Sequence, residues 1–379
     1  MSGEPARGCR GCGAGPLTRV LDLGKMPAAD DFPALDAAET EIESAHPLAM
    51  DYCLACGLAQ LAEDDTVTAE PRGVEPQALR DQAADALARV SAAGWLRGSR
   101  PPGGSTAASE PEKHGSTVRE FGSPHGGSWL PLLTARGFIE TADAADVVID
   151  CFGIMHVPDQ RAAFAVRAAA TAPDGVLLLQ FHSLHAIVTH GQWNALRHGH
   201  FAYYTLASLR RLLADAGMSV VTAWEFGLYG GTILVAAVHG DVPPDATVQR
   251  ILAAESDVEE LLPDLQHAAD EQAHALRSWL ESEAVAGHRV YAYGAASRAV
   301  ALLHLAGAHR GLLTAVADAS PAKQGRRMPG TDIPIIDPAE LVAAHPDRVF
   351  LTLPDLLQEV RSRLPELDGR WVVQLPEPP

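Results

Sequence analysis

Cys9-Arg-Gly-Cys12 and Cys53-Leu-Ala-Cys56 are two Cys-x-x-Cys pairs separated by forty residues, each followed by glycine. Such a spacing sets two thiolates on one tight turn, and two such turns brought together close a four-sulfur tetrahedron around Zn²⁺. Reduced, unpaired cysteines and a redox pair are the competing readings. Four thiolates leave no open coordination position, so the metal expected here is structural and not catalytic. Between the pairs, Val20-Leu-Asp-Leu-Gly24 and Pro47-Leu-Ala-Met-Asp-Tyr-Cys53 are short strand-like runs joined by Pro- and Ala-rich loops. A core that small needs the metal to fold. Cys151, the fifth cysteine, stands alone, which is not how a disulfide scaffold is built.

The chain of 379 residues is too long for one ordinary core, and its 47% hydrophobic content supplies several. The pattern divides it into three: a zinc-binding module over 1–75, a middle unit over 76–240, and a second α/β unit over 241–379. Against 48 Asp and Glu stand 29 Lys and Arg, for a formal charge of −19, which opposes broad attraction to nucleic acid or an anionic membrane. No run has the length of a membrane span, and the first residues lack the apolar core of a signal peptide. The expectation is a cytoplasmic protein, monomeric or homodimeric.

In the middle unit an amphipathic helix is expected from Gln77 to Leu96, followed by a Pro-, Gly- and Ser-rich mobile loop over 97–117. The stretch from Val118 to Trp129 then reads as strand, glycine turn, helix, the device by which backbone N–H groups approach a nucleotide-type cofactor. Glu120, Gly122, Ser123, His125, Gly126 and Gly127 are its candidate cofactor contacts. Next come the strand Ala145–Asp150 with Cys151-Phe-Gly-Ile-Met-His156 at its end, a helix from about Gln160, a Pro173-Asp-Gly175 turn and the strand Val176–Phe181. Ligands of open α/β sheets bind at the carboxyl ends of such strands, so Phe152, His156 and His182 should open onto one crevice.

The last unit repeats the device. Strand Arg289–Gly294 ends in Gly294-Ala-Ala-Ser-Arg298, and Asp318 lies 24 residues past Gly294, an offset suited to an acid reaching a ribose hydroxyl. Lys323 and Arg326, in a basic loop, suit a diphosphate. A solvated basic loop is the competing reading.

The two cysteine pairs, Val20-Leu-Asp-Leu-Gly24, Cys56-Gly-Leu-Ala-Gln-Leu61, the Glu-Phe-Gly-Ser turn, His198-Gly-His-Phe201, Tyr229-Gly-Gly-Thr232, Tyr293-Gly-Ala-Ala296 and Lys323-Gln-Gly325 occur in one order. That order resembles the zinc-containing sugar C-methyltransferases, which act on nucleotide-linked deoxysugars, for example in antibiotic sugar pathways. The resemblance implies S-adenosylmethionine as methyl donor, held by the first glycine turn with Phe152 and His156. It implies a base that takes a proton from the carbon next to a sugar ketone, and an enolate that attacks the methyl group. His200 falls on the family's histidine and is the expected base, with His182, His198 and Tyr203 assisting. Tyr229, Tyr293, Gly294, Ala295, Ser297, Arg298, Asp318, Lys323 and Arg326 are the expected contacts of the nucleotide-sugar.

Three departures from the family pattern stand out. Gly199 occupies the place of an acidic residue, Arg298 that of a lysine, and family tyrosines ahead of the glycine turn are absent. Moreover, only Gly137 to Ala145 separates the first helix from the next long strand, where a methyltransferase sheet has two strands and two helices. The second strand, whose terminal acid normally holds the cofactor ribose, is therefore expected to be short or missing, with Glu140 and Asp143 the nearest replacements. Two other readings follow: a nucleotide-sugar-binding protein without a donor site, and a sugar enzyme doing base chemistry without methyl transfer. The fold expected is α/β: a zinc module, a Rossmann-like methyltransferase domain with a shortened sheet, and a C-terminal Rossmann-like domain.

Overall fold

A computed structural model describes residues 8–35, 44–66, 75–96, 116–123 and 127–375. Most of the loop expected over 97–117 lies outside them. Three sheets organise the rest.

The first is antiparallel and contains β1 (Thr18–Pro27), β2 (Ala45–Tyr52) and β3 (Ala59–Leu61) in that order. In the middle unit β4 (Thr117–Phe121), β5 (Ile139–Glu140), β6 (Ala145–Cys151) and β7 (Thr171–His182) are followed by β8 (Ala202–Tyr203), β9 (Met218–Phe226) and β10 (Thr232–His239). The central sheet runs β5-β4-β6-β7-β10-β9, parallel from β5 to β7 and antiparallel beyond. Side chains alternate across it as a pleated strand requires. Val147, Ile149 and Leu178 pack on the helix Gln77–Ala92 through Ala86, Leu87 and Val90. Val148, Leu177 and Leu179 face the other way, into a core shared with the helices Gln160–Ala170 and Leu206–Asp215. The third sheet, β13-β12-β11-β14-β15, is wholly parallel: β11 (Val290–Tyr293), β12 (Val316–Ala317), β13 (Ile335–Ile336), β14 (Arg348–Leu351) and β15 (Trp371–Val372).

The short strand expected after the glycine turn is present as β5, a two-residue edge strand whose Ile139 and Glu140 are both exposed. Too few residues separate the helix Leu130–Thr134 from β6 to build more. The turn expected at Pro173–Gly175 is instead a bulge inside β7. Register jumps there from Ala145 opposite Thr171 to Val147 opposite Val176, and a Cβ on Gly175 would meet the Ala145 carbonyl oxygen at 2.8 Å. Pro263 begins the long helix Asp264–Val285, as its fixed φ favours.

The zinc module is not closed on itself. The segment β8 completes its sheet, pairing Ala202 and Tyr203 with Gln60 and Ala59. Arg10, inside the first cysteine pair, ties the same parts together. Its backbone N–H donates to Gln60 Oε1 at 2.8 Å, and its Nε and one terminal nitrogen both donate to the Leu61 carbonyl at 3.2 Å. The other terminal nitrogen donates to Pro158 O at 3.3 Å, and the guanidinium lies 4.9 Å from the centroid of the Phe201 ring. Phe201 N–H in turn donates to Met155 O at 2.7 Å.

The four cysteine sulfurs lie within 4.8 Å of one another, with Cys9 to Cys56 at 3.4 Å and Cys12 to Cys53 at 3.7 Å. A tetrahedron with zinc–sulfur bonds of about 2.3 Å has edges of about 3.8 Å, so the donor set fits Zn²⁺. Removing the metal with a strong chelator should free four thiols to a thiol reagent and raise amide exchange at 59–61 and 201–203. The sheet of the last unit should stay protected. Unchanged exchange at 201–203 would contradict the coupling of the two segments.

Glu255 receives the start of the helix Leu206–Asp215: the Leu206 N–H donates to both its carboxylate oxygens, at 3.0 and 2.8 Å. Burial pushes its carboxyl up to about 7, against these bonds. A folded-state acid raised above its unfolded value binds protons more tightly when folded, so its contribution falls as pH rises from about 4.5 to about 7 and is level above that. Across that window the protein should lose about 3 kcal/mol of stability relative to Glu255→Gln, read by denaturant unfolding. Parallel pH profiles for the two proteins would contradict this.

Candidate active site

Where the carboxyl ends of β4, β6 and β7 meet the last unit, a cavity of about 210 Å³ opens. The middle unit lends it Ser123, Phe152, Met155, His156, His182, Arg197, His200, Tyr203 and Tyr229, and the last unit Ser297, Arg298 and Lys323. Glu75, Pro76 and Leu79, at the start of the helix Gln77–Ala92, cover one side. The crevice therefore gathers ten of the residues singled out from the sequence.

Each wall has a local cause. Asp150, at the end of β6 and fully buried, accepts from the Gly153 and Ile154 N–H groups at 2.8 and 3.0 Å and pairs with Arg167 at 2.8 Å. That bracing holds the turn containing Phe152, whose φ of 61° is costly for a bulky residue. Tyr229 shows the same left-handed backbone, φ 55°, and its ring meets Phe152 at 6.1 Å. Two aromatic residues in strained conformations thus touch each other in the crevice. Glu120 orders the glycine turn from within, accepting from the Ser128 hydroxyl at 2.5 Å and the Trp129 N–H at 2.6 Å. Gly127 has φ +81°, and a Cβ there would meet Glu75 Oε1 at 3.1 Å; one at Gly122 would meet nothing within 4 Å among the described residues. His125 and Gly126 lie outside the described residues.

The histidines separate into distinct environments. His156 and His200 meet edge to face, ring centroids 4.4 Å apart. His156 Nδ1 lies 2.9 Å from the Gly199 carbonyl, so it donates there, and the lone pair of the neutral ring sits on Nε2. His200 Nε2 accepts from Arg197 Nε at 2.8 Å, which places its ring proton on Nδ1. His182 is held at both nitrogens: Nδ1 accepts from Arg298 at 3.3 Å and Nε2 donates to Gln192 Oε1 at 3.0 Å. Burial, then the Arg298 charge, keep it neutral well below the usual imidazole range. His198 leaves the cavity altogether. Its Nε2 donates to Pro47 O at 3.2 Å and its ring meets His46 at 5.8 Å, while burial lowers its proton affinity. Tyr203 is a brace: its hydroxyl accepts from Arg197 N–H and donates to Ala195 O, both at 3.2 Å, and burial raises its pKa.

In the last unit Arg298 stacks over Tyr229 at 5.1 Å, and burial with the nearby Arg197 charge pulls it down to about 10. Among the described residues no carboxylate makes an ion pair with it. Arg298 also lines a neighbouring cavity of about 860 Å³ that includes Phe350, Thr352, Asp355 and His274, so the two spaces abut at this side chain. Ser297 donates to the buried Asp30 carboxylate. Lys323 donates to Ala295 O at 2.9 Å and lies 4.7 Å from the Phe32 ring centroid. Other expected contacts lie elsewhere. Asp318 accepts from the Ala295 and Ser320 N–H groups at 2.7 and 2.8 Å, bracing the second glycine turn from inside. Gly294, at φ +97°, is required by that turn and by Thr352, whose hydroxyl donates to its carbonyl at 2.7 Å. Tyr293 packs against Trp371. Arg326 turns to the Ala322 and Phe32 carbonyls, at 3.0 and 2.6 Å. Arg197 was not among the sequence candidates; its place two residues before Gly199 was the available signal.

The comparisons agree with this layout. A family model described as a zinc binding domain matches residues 9–70, and one described as a C-methyltransferase C-terminal domain matches 227–376, together more than half of the chain. The C-methyltransferase NovU of Streptomyces niveus is 28% identical over 240 residues, covering 60% of this chain and 56% of NovU, so the match spans a little over half of that relative. Among solved structures, magnesium protoporphyrin IX methyltransferase of Synechocystis PCC 6803 with bound SAH aligns over 42% of this chain and 83% of its own, at 14% identity and TM-score 0.30. The mitomycin 7-O-methyltransferase MmcR aligns over 44% and 59%, at 16% identity and TM-score 0.26. Likenesses that low carry no argument about function. With the sulfur cluster at one end and the matched C-terminal unit at the other, the chain belongs to the zinc-containing C-methyltransferases.

Proposed function

We propose that this chain is an S-adenosylmethionine-dependent C-methyltransferase acting on a nucleotide-linked keto-deoxysugar, in a cytoplasmic pathway such as antibiotic sugar synthesis. The observation that carries the reading is the His156–His200 pair, 4.4 Å apart, in a cavity bordered by one glycine turn and by the start of the helix after the other. Gly122, Ser123 and Phe152 would hold the donor, with Glu120 ordering the turn. When bound, that donor supplies an electrophilic methyl group. The sugar ring would occupy the 210 Å³ cavity and the nucleoside the adjoining one, with Arg298 at their junction suited to the diphosphate.

The base needs a lone pair directed at the carbon beside the ketone. His200 is the position expected from the family pattern, but its Nε2 lone pair is engaged by a guanidinium. His156 is oriented by a backbone carbonyl that fixes its proton on Nδ1 and leaves Nε2 as the basic nitrogen. The proton acceptor is accordingly assigned to His156, with His200 packed against it. The roles expected for His182 and Tyr203 become positioning roles, for Arg298 and for the 195–197 backbone. A second reading, a nucleotide-sugar-binding protein or a sugar enzyme without the donor, is favoured by one feature. Glu140 ends a two-residue exposed strand where a ribose-holding acid is normally found.

His156→Asn should lower the methyl-transfer kcat on the order of 10²–10⁴ while leaving affinity for S-adenosylhomocysteine, read by calorimetry, unchanged. Equal activity of the variant would remove the base assignment. A folded, zinc-loaded wild type that binds neither S-adenosylmethionine nor S-adenosylhomocysteine would leave the second reading in place.

A further inference from the structure

We infer that Gln192 is a positioning residue: by holding His182 in one neutral form, it keeps the Arg298 guanidinium aimed at the diphosphate of the nucleotide-sugar with its charge undiminished. This rests on the reading above, in which Arg298 meets that diphosphate. The glycines of Tyr229-Gly-Gly-Thr232 are the first sign of it. A Cβ on Gly230 would run into the Gln192 amide nitrogen, and one on Gly231 would meet the Ala186 Cβ at 2.5 Å. Gly230 is thus the seat of the Gln192 side chain. Tyr229, next to it, carries the Arg298 guanidinium 5.1 Å from its ring centroid.

Gln192 is held in place from the last unit. On the helix Asp264–Val285, Gln272 donates through Nε2 to Gly191 O at 3.1 Å and accepts from Trp193 Nε1 at 3.0 Å. The residues on either side of Gln192 are therefore fixed, and its own N–H donates to Ile187 O at 2.8 Å. Its Oε1 accepts from His182 Nε2 at 3.0 Å, and His182 Nδ1 accepts from a terminal nitrogen of Arg298 at 3.3 Å. The chain of contacts begins and ends in the last unit and passes through a ring of the middle one.

A guanidinium on a long side chain must lose rotamer freedom to point one way. A carboxylate partner would fix it but cancel the charge that an anionic ligand needs. An imidazole lone pair fixes it and cancels nothing. That lone pair exists on Nδ1 only while the ring is neutral with its proton on Nε2. Gln192 supplies the acceptor that selects this form, and an amide, unlike a carboxylate, draws no second proton onto the ring. Burial first, then the Arg298 charge, hold His182 well below the usual imidazole range, and Arg197 adds to the suppression. The Gln192 amide oxygen and the Tyr229 carbonyl favour the charged ring and are outweighed. Among the described residues, the other titratable groups around the cavity that His182 lines are His156, His200, Tyr203, Tyr229, Lys323 and Glu75.

The test uses zinc-loaded full-length protein, its Gln192→Glu and Gln192→Leu variants, and nucleoside-diphosphate hexoses with each common base, whose bridging diphosphate stays ionised throughout. Wild-type affinity, read by calorimetry, should be level from about pH 8 to about pH 6, because His182 stays neutral across that window. A carboxylate at position 192 favours the imidazolium, so Gln192→Glu should lose about tenfold in affinity as pH falls through the window and recover it on return. Gln192→Leu should bind several-fold more weakly at every pH, and S-adenosylhomocysteine affinity should hold in both variants. A pH-independent loss in Gln192→Glu, or tighter binding at the acid end, would overturn the relay. The first outcome marks an effect of the added charge alone, and the second an imidazolium that itself meets the diphosphate. Should the variants fail to fold, heteronuclear NMR of the wild-type histidine rings decides. His182, assigned by the signal lost in His182→Asn, should show the neutral Nε2–H form throughout. Titration inside the window, or a proton on Nδ1, would overturn the inference with no ligand present. Wild type and variants that bind the hexoses equally at every pH would sink this inference alone. Wild type that binds none of them would sink the nucleotide-sugar reading, and this inference with it.

Discussion

Closure of the two cysteine turns on one another is the constraint from which the rest of the architecture hangs. Four sulfurs within 4.8 Å cannot be held by packing in a sheet this small; a dication that binds thiolates supplies the energy. The consequence reaches beyond the metal, because Arg10 sits between the ligands Cys9 and Cys12. It bonds the Leu61 and Pro158 carbonyls and lies against the Phe201 ring. It thereby clamps the turn after Met155 to the segment that carries His200. The zinc module is in this sense the back wall of the crevice, which explains why a non-catalytic metal belongs to the fold.

From that wall forward, the site is assembled by elements that each spend local energy to be there. Asp150 is buried with both oxygens occupied, and its pairing with Arg167 offsets the cost of removing a carboxylate from water. The bend it supports leaves Phe152 at positive φ, and Tyr229 answers it from the turn before β10 with the same strain. Strain in two touching aromatic residues persists only where surrounding bonds over-determine it. The second glycine turn reaches the same crevice through Ser297 and Arg298, with Asp318 and Lys323 tied to Ala295 behind it.

Periodicity and turn chemistry made the skeleton legible in the sequence. The cysteine pairs, the strand Ala145–Cys151, the helix from Gln160 and the shortness of β5 are local properties, written in consecutive residues. The site was legible only as neighbourhoods. His156 and His200 are 44 positions apart, and no spacing rule says that their rings meet. His198 was expected beside His200, but the two flank Gly199 in a turn whose left-handed backbone, φ +77°, sends their side chains different ways, and His198 points to Pro47. Asp318 was expected on a ribose and instead satisfies the backbone N–H groups of the turn it follows. Arg326 was expected on a diphosphate and caps carbonyls. Arg197 escaped notice because its meaning comes from a partner ring and a facing guanidinium that only the folded chain brings near. Tertiary contact, not residue type, decided each of these.

A crystal structure of the zinc-loaded protein grown with S-adenosylhomocysteine and a nucleoside diphosphate tests the central claim most directly. The account predicts adenosyl density along Gly122 and Ser123, its sulfur opening toward His156, and the diphosphate at Arg298. Glu75 and Leu79 closed over Gly127, with no adenosine in the crevice and the nucleotide bound elsewhere, would contradict it.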